Sequence, residues 1–140
     1  MSWDIFVFAS EVPPPPVDEM PESWSWQPLG SQDEVRDKIN KCIPNIDWSD
    51  PSWGVFDGNG FSYEFSVGKT DPCDSIAVHV RGGGDAVALL LRLGDATGWY
   101  LLDTSQPEWI HHCSDPNSGW VRFQAFRDQV IAKSHEPPDC

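Results

Sequence analysis

The stretch His79-Val80-Arg81-Gly82-Gly83-Gly84-Asp85 is the first place where residue types and spacing could do chemistry. A β-branched run ends in three glycines, and an apolar helix-forming run follows. A strand, a glycine loop and a helix in that order can cradle a phosphate. The glycines let backbone amides approach the anion, and the helix N-terminus adds its positive end. A phosphate loop also pairs those amides with a positive group, yet the residues after the glycines are Asp85, Ala86 and Val87. Neither Gly-Lys-Ser/Thr nor G-x-G-x-x-G is present. Asp85 is instead suited to cap the helix, by accepting from the amides that a phosphate would need. The stretch reads as a strand-to-helix corner. A small pocket at His79, Arg81, Gly82, Gly83 and Gly84 is the alternative ligand site, for a ligand-binding domain or a small enzyme.

His111-His112-Cys113, with His79, His135 and Cys140 elsewhere, supplies zinc-ligating side chains. Adjacent residues on a strand point to opposite faces, and no C-x2-C or H-x3-H spacing occurs, so neither a metal nor another cofactor is expected. Cys113 beside His112 has the types for nucleophilic catalysis, but such a site needs a nucleophile, a base and an orienting group together in space. No G-x-S-x-G or H-E-x-x-H is present. The paired acids Asp18-Glu19 lie in a proline-rich stretch, a poor setting for a pKa-tuned carboxylate. The expectation is a protein that is not an enzyme.

Charge points to binding. Nine Lys and Arg face 22 Asp and Glu in 140 residues, a net charge of −13. Such a surface repels nucleic acid and anionic lipid and attracts a basic protein, with fast association. The acids are unevenly spread. No Lys or Arg precedes Arg36, while Asp4, Glu11, Asp18, Glu19, Glu22, Asp33 and Glu34 are all acidic. Eight tryptophans are available as core or as anchors at a partner surface. The start lacks a basic region and a long apolar run, so no signal peptide is read, and no segment reaches the ~20 apolar residues of a membrane span. The expected location is the cytoplasm, where Cys42, Cys73, Cys113 and Cys140 would be free thiols.

The elements that must position these residues follow from periodicity. Residues 3–9 read as a strand with both faces covered. Pro13 to Pro16 favour an extended polyproline segment inside an acidic surface loop over 11–28, which Trp24 and Trp26 anchor. Ser31 to Glu34 has the form of a capping box, opening a helix over 32–42 that Pro44 ends. Residues 53–67 read as a hairpin turning at Gly58-Asn59-Gly60. In Ser49 to Gly54, Asp50-Pro51 reads as a turn and Trp53 opens that hairpin, as packing or as a rim aromatic. Further strands are predicted at 75–80 and 99–102, a deep helix at 85–94, and a last helix from an Asp115 N-cap with Pro116 at its first position to about residue 132. The order is β-α-β-β-β-α-β-α. It implies one α+β domain over 1–134, a largely antiparallel sheet of about five strands with about three helices packed mainly on one face, and a disordered tail at 135–140.

The opening MSWDIFV, PLGS at 28–31, SDPSWG at 49–54 and HVRGG at 79–83 resemble, in order and spacing, a group of small uncharacterised bacterial proteins over Met1 to about Val130. That resemblance carries no catalytic residue. In profile the chain is also similar to the immunity proteins of bacterial toxin–immunity systems, which are commonly acidic, single-domain and free of catalytic motifs. This likeness implies an inhibitor that occludes a basic toxin, such as a nuclease, in the cytoplasm. The candidate partner-binding residues are Glu11, Asp18, Glu19 and Glu22 of the loop, Asp57, Glu64 and Asp71 of the hairpin region, and the anchors Trp24, Trp26 and Trp53. A housekeeping acidic protein with a regulatory partner is the third expectation.

Overall fold

The computed structural model describes residues 1–112 and 115–135. Seven strands form one sheet: β1 (Trp3–Phe8), β2 (Asp47–Asp50), β3 (Trp53–Asp57), β4 (Phe61–Ser66), β5 (Ile76–Gly82), β6 (Tyr100–Asp103) and β7 (Glu108–Trp109). They lie in the order β2-β3-β4-β5-β1-β6-β7, and every pair is antiparallel. Three helices complete the fold: α1 (Gln32–Cys42), α2 (Val87–Thr97) and α3 (Ser118–His135). The class is α+β, as the sequence implies.

Period-2 alternation gives the sheet two unlike faces. Trp3, Ile5 and Val7 of β1, Ile76, Val78 and Val80 of β5, and Tyr63 and Phe65 of β4 point inward and are buried. They form one cluster with Val35 and Ile39 of α1, Val87, Leu90 and Leu93 of α2, and Trp120 of α3. Each such aliphatic side chain, fully buried, contributes about 1.5–3 kcal/mol by leaving water. Burial of these helix faces against the sheet places all three helices on its inner side. β1, predicted to be covered on both faces, is covered on one along much of its length: Phe6 is 42% exposed on the outer side.

α1 starts and stops as expected. The Ser31 hydroxyl accepts from the Glu34 amide at 3.2 Å. The two remaining helices start later than predicted. Asp85 does not cap α2: the N-cap is Ala86, without a side-chain hydrogen bond. Gly82 and Gly84 adopt φ of +92° and +76°, and the Ala86 amide donates to Gly84 O, so the chain completes a tight turn before the helix begins. Asp115 likewise opens a turn rather than capping α3. Its carboxylate accepts from the Asn117 amide at 3.0 Å and its carbonyl from Ser118 N at 3.1 Å, so the helix starts at Ser118.

The sheet has two more strands than the five expected. β2 is an acidic, serine-containing edge that pairs with β3 through an irregular register, Asp47 with Val55 and Asp50 with Trp53. Such residues are depleted in strands, and only the neighbouring β3 draws them into the ladder. β7 is two residues long, too short for any periodicity. The sequence tail from residue 136 and the pair Cys113 and Ser114 lie outside the described residues.

Candidate functional site

Among the described residues no helix covers the outer face of the sheet. Alternation puts Asp4, Phe6 and Phe8 of β1 there, with His79 and Arg81 of β5, Glu64 of β4, and Trp53, Val55 and Asp57 of β3. Beside β1 this face is partly roofed by the proline-rich segment. Trp26 stacks on Phe8 with ring centroids 4.7 Å apart, and Trp24 meets Trp26 edge-on at 5.9 Å. Trp109 Nε1 donates to Pro15 O at 3.0 Å, and Ala9 bridges Gln27. The expected anchoring of the loop by its two tryptophans is therefore what the fold shows. Beyond Phe6 the face is uncovered.

The uncovered part is built around His79. Its Nδ1–H donates to Asp4 Oδ1 at 2.7 Å, and the Ser2 hydroxyl donates to the same oxygen at 2.5 Å. Trp53 stacks on the imidazole at 5.5 Å, tilted by 26°. Glu64 lies directly across from His79 in the β4–β5 ladder, and Arg81 Nε reaches Glu64 Oε1 at 3.3 Å. The result is a half-buried aromatic pair ringed by carboxylates. It can meet a cationic, flat or apolar group of a partner. Among the described residues no hydroxyl or thiol hydrogen-bonds the His79 ring.

The face thus brings together Trp24, Trp26, Trp53, Asp57 and Glu64 of the partner-binding expectation with His79 and Arg81 of the ligand expectation. Glu11, Asp18, Glu19 and Glu22 are exposed on the proline-rich segment, Asp18 and Glu19 in the 3-10 turn Val17–Glu19. Asp71 stands apart. Its carboxylate accepts from the Gln32 amide at 3.2 Å and serves the N-terminus of α1. At the β2 edge, Ser49 and Ser52 each donate a hydroxyl and an amide to Asp47 and Asp50, holding both carboxyls below the usual range. This edge stays charged to low pH.

The glycine corner is a packing joint. Gly83 N donates to Gly60 O at 2.7 Å, Trp120 Nε1 donates to Gly84 O at 3.0 Å, and the Arg127 guanidinium donates to Gly82 O. The hairpin turn on one side and α3 on the other thus take up the Gly83 amide and the Gly84 and Gly82 carbonyls. A cleft of about 670 Å³ lies elsewhere, between Pro16 to Asp18, Gln106 to Trp109, and Ser118 and Arg122 of α3. His111, also separate, lies 3.3 Å from Asp95. Among the described residues no group of three or more His, Cys, Asp and Glu is placed to hold a metal, and no helix is long and apolar enough to cross a membrane. The Cys113 of the nucleophile and zinc expectations is outside the described residues.

Sequence reasoning missed Asp4 and Phe6 as members of the face, although alternation within Trp3–Phe8 was the signal that could have found them. The cleft had no such signal, because its walls are brought together from three distant segments. Comparison with protein-family models, curated proteins and solved structures gives no match for the chain.

Proposed function

We propose that this chain is an acidic binding protein of the immunity type, which occludes a basic protein such as a toxin nuclease with the outer face of its sheet. One observation carries the reading. The sheet keeps an uncovered face on which Phe6 and Trp53 are set among Asp4, Asp57 and Glu64, continuous with the acidic loop bearing Glu11, Asp18, Glu19 and Glu22. Aromatic anchors within a carboxylate rim suit a partner rich in Lys and Arg. The anchors would set the dissociation rate and the charges the association rate.

The test begins with capture from the native cells at low salt and identification of a stoichiometric basic partner. Its kinetics with variants then decide. Reversal of Glu19 and Glu22 to Lys should slow association by about tenfold or more, and salt should slow it for the parent chain. Trp53→Ala should speed dissociation by about tenfold or more. Salt-independent association, or kinetics indifferent to both changes, would remove the outer face from the reading.

The cleft supports a second reading, a small-molecule site, because its volume is in the range of ligand pockets. A thermal-shift screen of metabolites and nucleotides that raises the melting temperature, with the rise lost in Arg122→Ala, would favour it.

A further inference from the structure

The cleft of about 670 Å³ has three walls: the end of the proline-rich segment at Pro16 to Asp18, the chain from Gln106 to Trp109 that leads into β7, and the start of α3 with Ser118 and Arg122. Its charged lining is mixed. Asp18, Glu108 and Asp115 are acidic, and Arg122 is basic. Arg36, Arg81 and Arg127 each pair with a carboxylate of their own chain. Arg122 does not, although three carboxylates line the same cleft. Among the described residues, neither the Arg122 guanidinium nor the Asp18 carboxylate has a hydrogen-bond or ion-pair partner.

The walls explain this separation. Asp18 sits in the 3-10 turn Val17–Glu19, and the bond from Trp109 Nε1 to Pro15 O at 3.0 Å ties the start of that turn to β7. Arg122 sits one turn into α3, on the side of Ser118, and Trp120 fixes that end of the helix in the core. Two opposite charges thus stand on separately anchored elements of one cleft and do not pair with each other. Pro16, Pro107 and Trp109 add apolar surface to the same lining.

We propose that the cleft binds a small apolar zwitterion, a free amino acid or a short peptide with both ends unblocked, its carboxylate on Arg122 and its ammonium on Asp18. Charge selects the class. A guanidinium takes a carboxylate through paired hydrogen bonds. An anion without a cationic group, such as a nucleotide, would meet Asp18, Glu108 and Asp115 in the same cleft, on a molecule of net charge −13. A diamine would leave Arg122 facing a like charge. Only a ligand bearing both signs satisfies both free groups, and the prolines and Trp109 suit an apolar body between its ends. This inference rests on the reading of the cleft as a small-molecule site and does not involve the outer face.

Isothermal titration tests it with L-phenylalanine, diphenylalanine, the N-acetyl and C-terminal amide forms of diphenylalanine, AMP and putrescine. One or both zwitterions should bind, and blocking either end should weaken binding by about tenfold or more, the loss expected for a charged hydrogen bond. Tighter binding of the amino acid or of the dipeptide tells which of the two the cleft takes. Arg122→Gln should abolish the preference for a free carboxylate and keep that for a free ammonium, and Asp18→Asn should do the reverse. Both positions are exposed, and circular dichroism checks that each variant is folded. AMP or putrescine binding in place of the zwitterions, and lost in these variants, would overturn the zwitterion while keeping the cleft as a site. Zwitterion binding that neither variant alters would overturn the assignment to the cleft. No binding by any of the probes would overturn the small-molecule reading together with the proposal.

Discussion

Tyr63 lies at the centre of the inner face, fully buried, and its hydroxyl donates to Ala86 O at the turn into α2. Burial, and secondarily the charge of Asp85, push its phenol above the ordinary value of 10.0. The folded chain keeps this proton at pH values where the unfolded chain releases it. Above about pH 10 the unfolded state therefore binds fewer protons, and stability falls as pH rises. Tyr63→Phe should cost about 1–2 kcal/mol at neutral pH, through a buried carbonyl left unpaired. It should also flatten the alkaline loss, as urea unfolding at neutral pH and at about pH 10.5 would show. Equal losses in both proteins would mean that the phenol ionises freely in the fold. Asp103 is buried too, only 2% exposed. Trp3 Nε1 donates to its Oδ1 at 2.9 Å, and the Ser105 amide and hydroxyl donate to the same atom. Trp3→Phe should destabilise by about 2 kcal/mol, since it leaves a buried carboxyl oxygen short of a donor. In a double-mutant cycle with Asp103→Asn the two losses should be less than additive.

At the scale of elements, the glycine corner explains why glycine stands at 82 and 84, each with positive φ and with backbone within 3 Å of where a Cβ would lie. The hairpin turn and the end of β5 meet there at backbone distance, and α3 reaches the corner through the Trp120 and Arg127 side chains. A Cβ on Gly82 would sit 2.5 Å from Gly60 O and 2.9 Å from Phe61 Cα, and its φ of +92° is itself unfavourable to other residues. Gly68 has a similar φ of +68° but nothing within 4 Å. Gly68→Ala should therefore cost about 1 kcal/mol, the conformational part alone, and Gly82→Ala about 2 kcal/mol or more. Thermal or urea unfolding of the pair separates conformation from crowding, and equal losses would show that the joint yields. The edges of the sheet follow from chemistry of the same kind. β2 presents Asp47 and Asp50 to water, and charge on an edge discourages pairing with another chain.

For the whole molecule, a net charge of −13 is a stability cost. Like charges repel most in the compact state. Raising NaCl from a few millimolar to about 0.15 M shortens the screening length to about 8 Å. The melting temperature should then rise by a few degrees, as differential scanning fluorimetry would report. A fall would mean that local pairs such as Arg36 with Asp33 and Lys41 with Asp37 outweigh the general repulsion.

Local order determined much of this fold. Alternation in Trp3–Phe8, Phe61–Ser66 and Ile76–Gly82, the Ser31 cap and the apolar face of α1 each depend on residues close in sequence, and they define an α+β chain with helices on one side of an antiparallel sheet. Composition by itself determined the charge, and with it the kind of partner worth seeking. Tertiary structure decided the rest, because the energies concerned are long-range. β2 and β7 are strands only because β3 and β6 offer ladders. α2 starts at Val87 rather than Asp85 because the corner must first turn to meet Gly60 and Trp120. The outer face exists as a surface because Asp4 and His79, 75 positions apart, are brought to 2.7 Å under Trp53, while the helices spend their apolar faces on the other side.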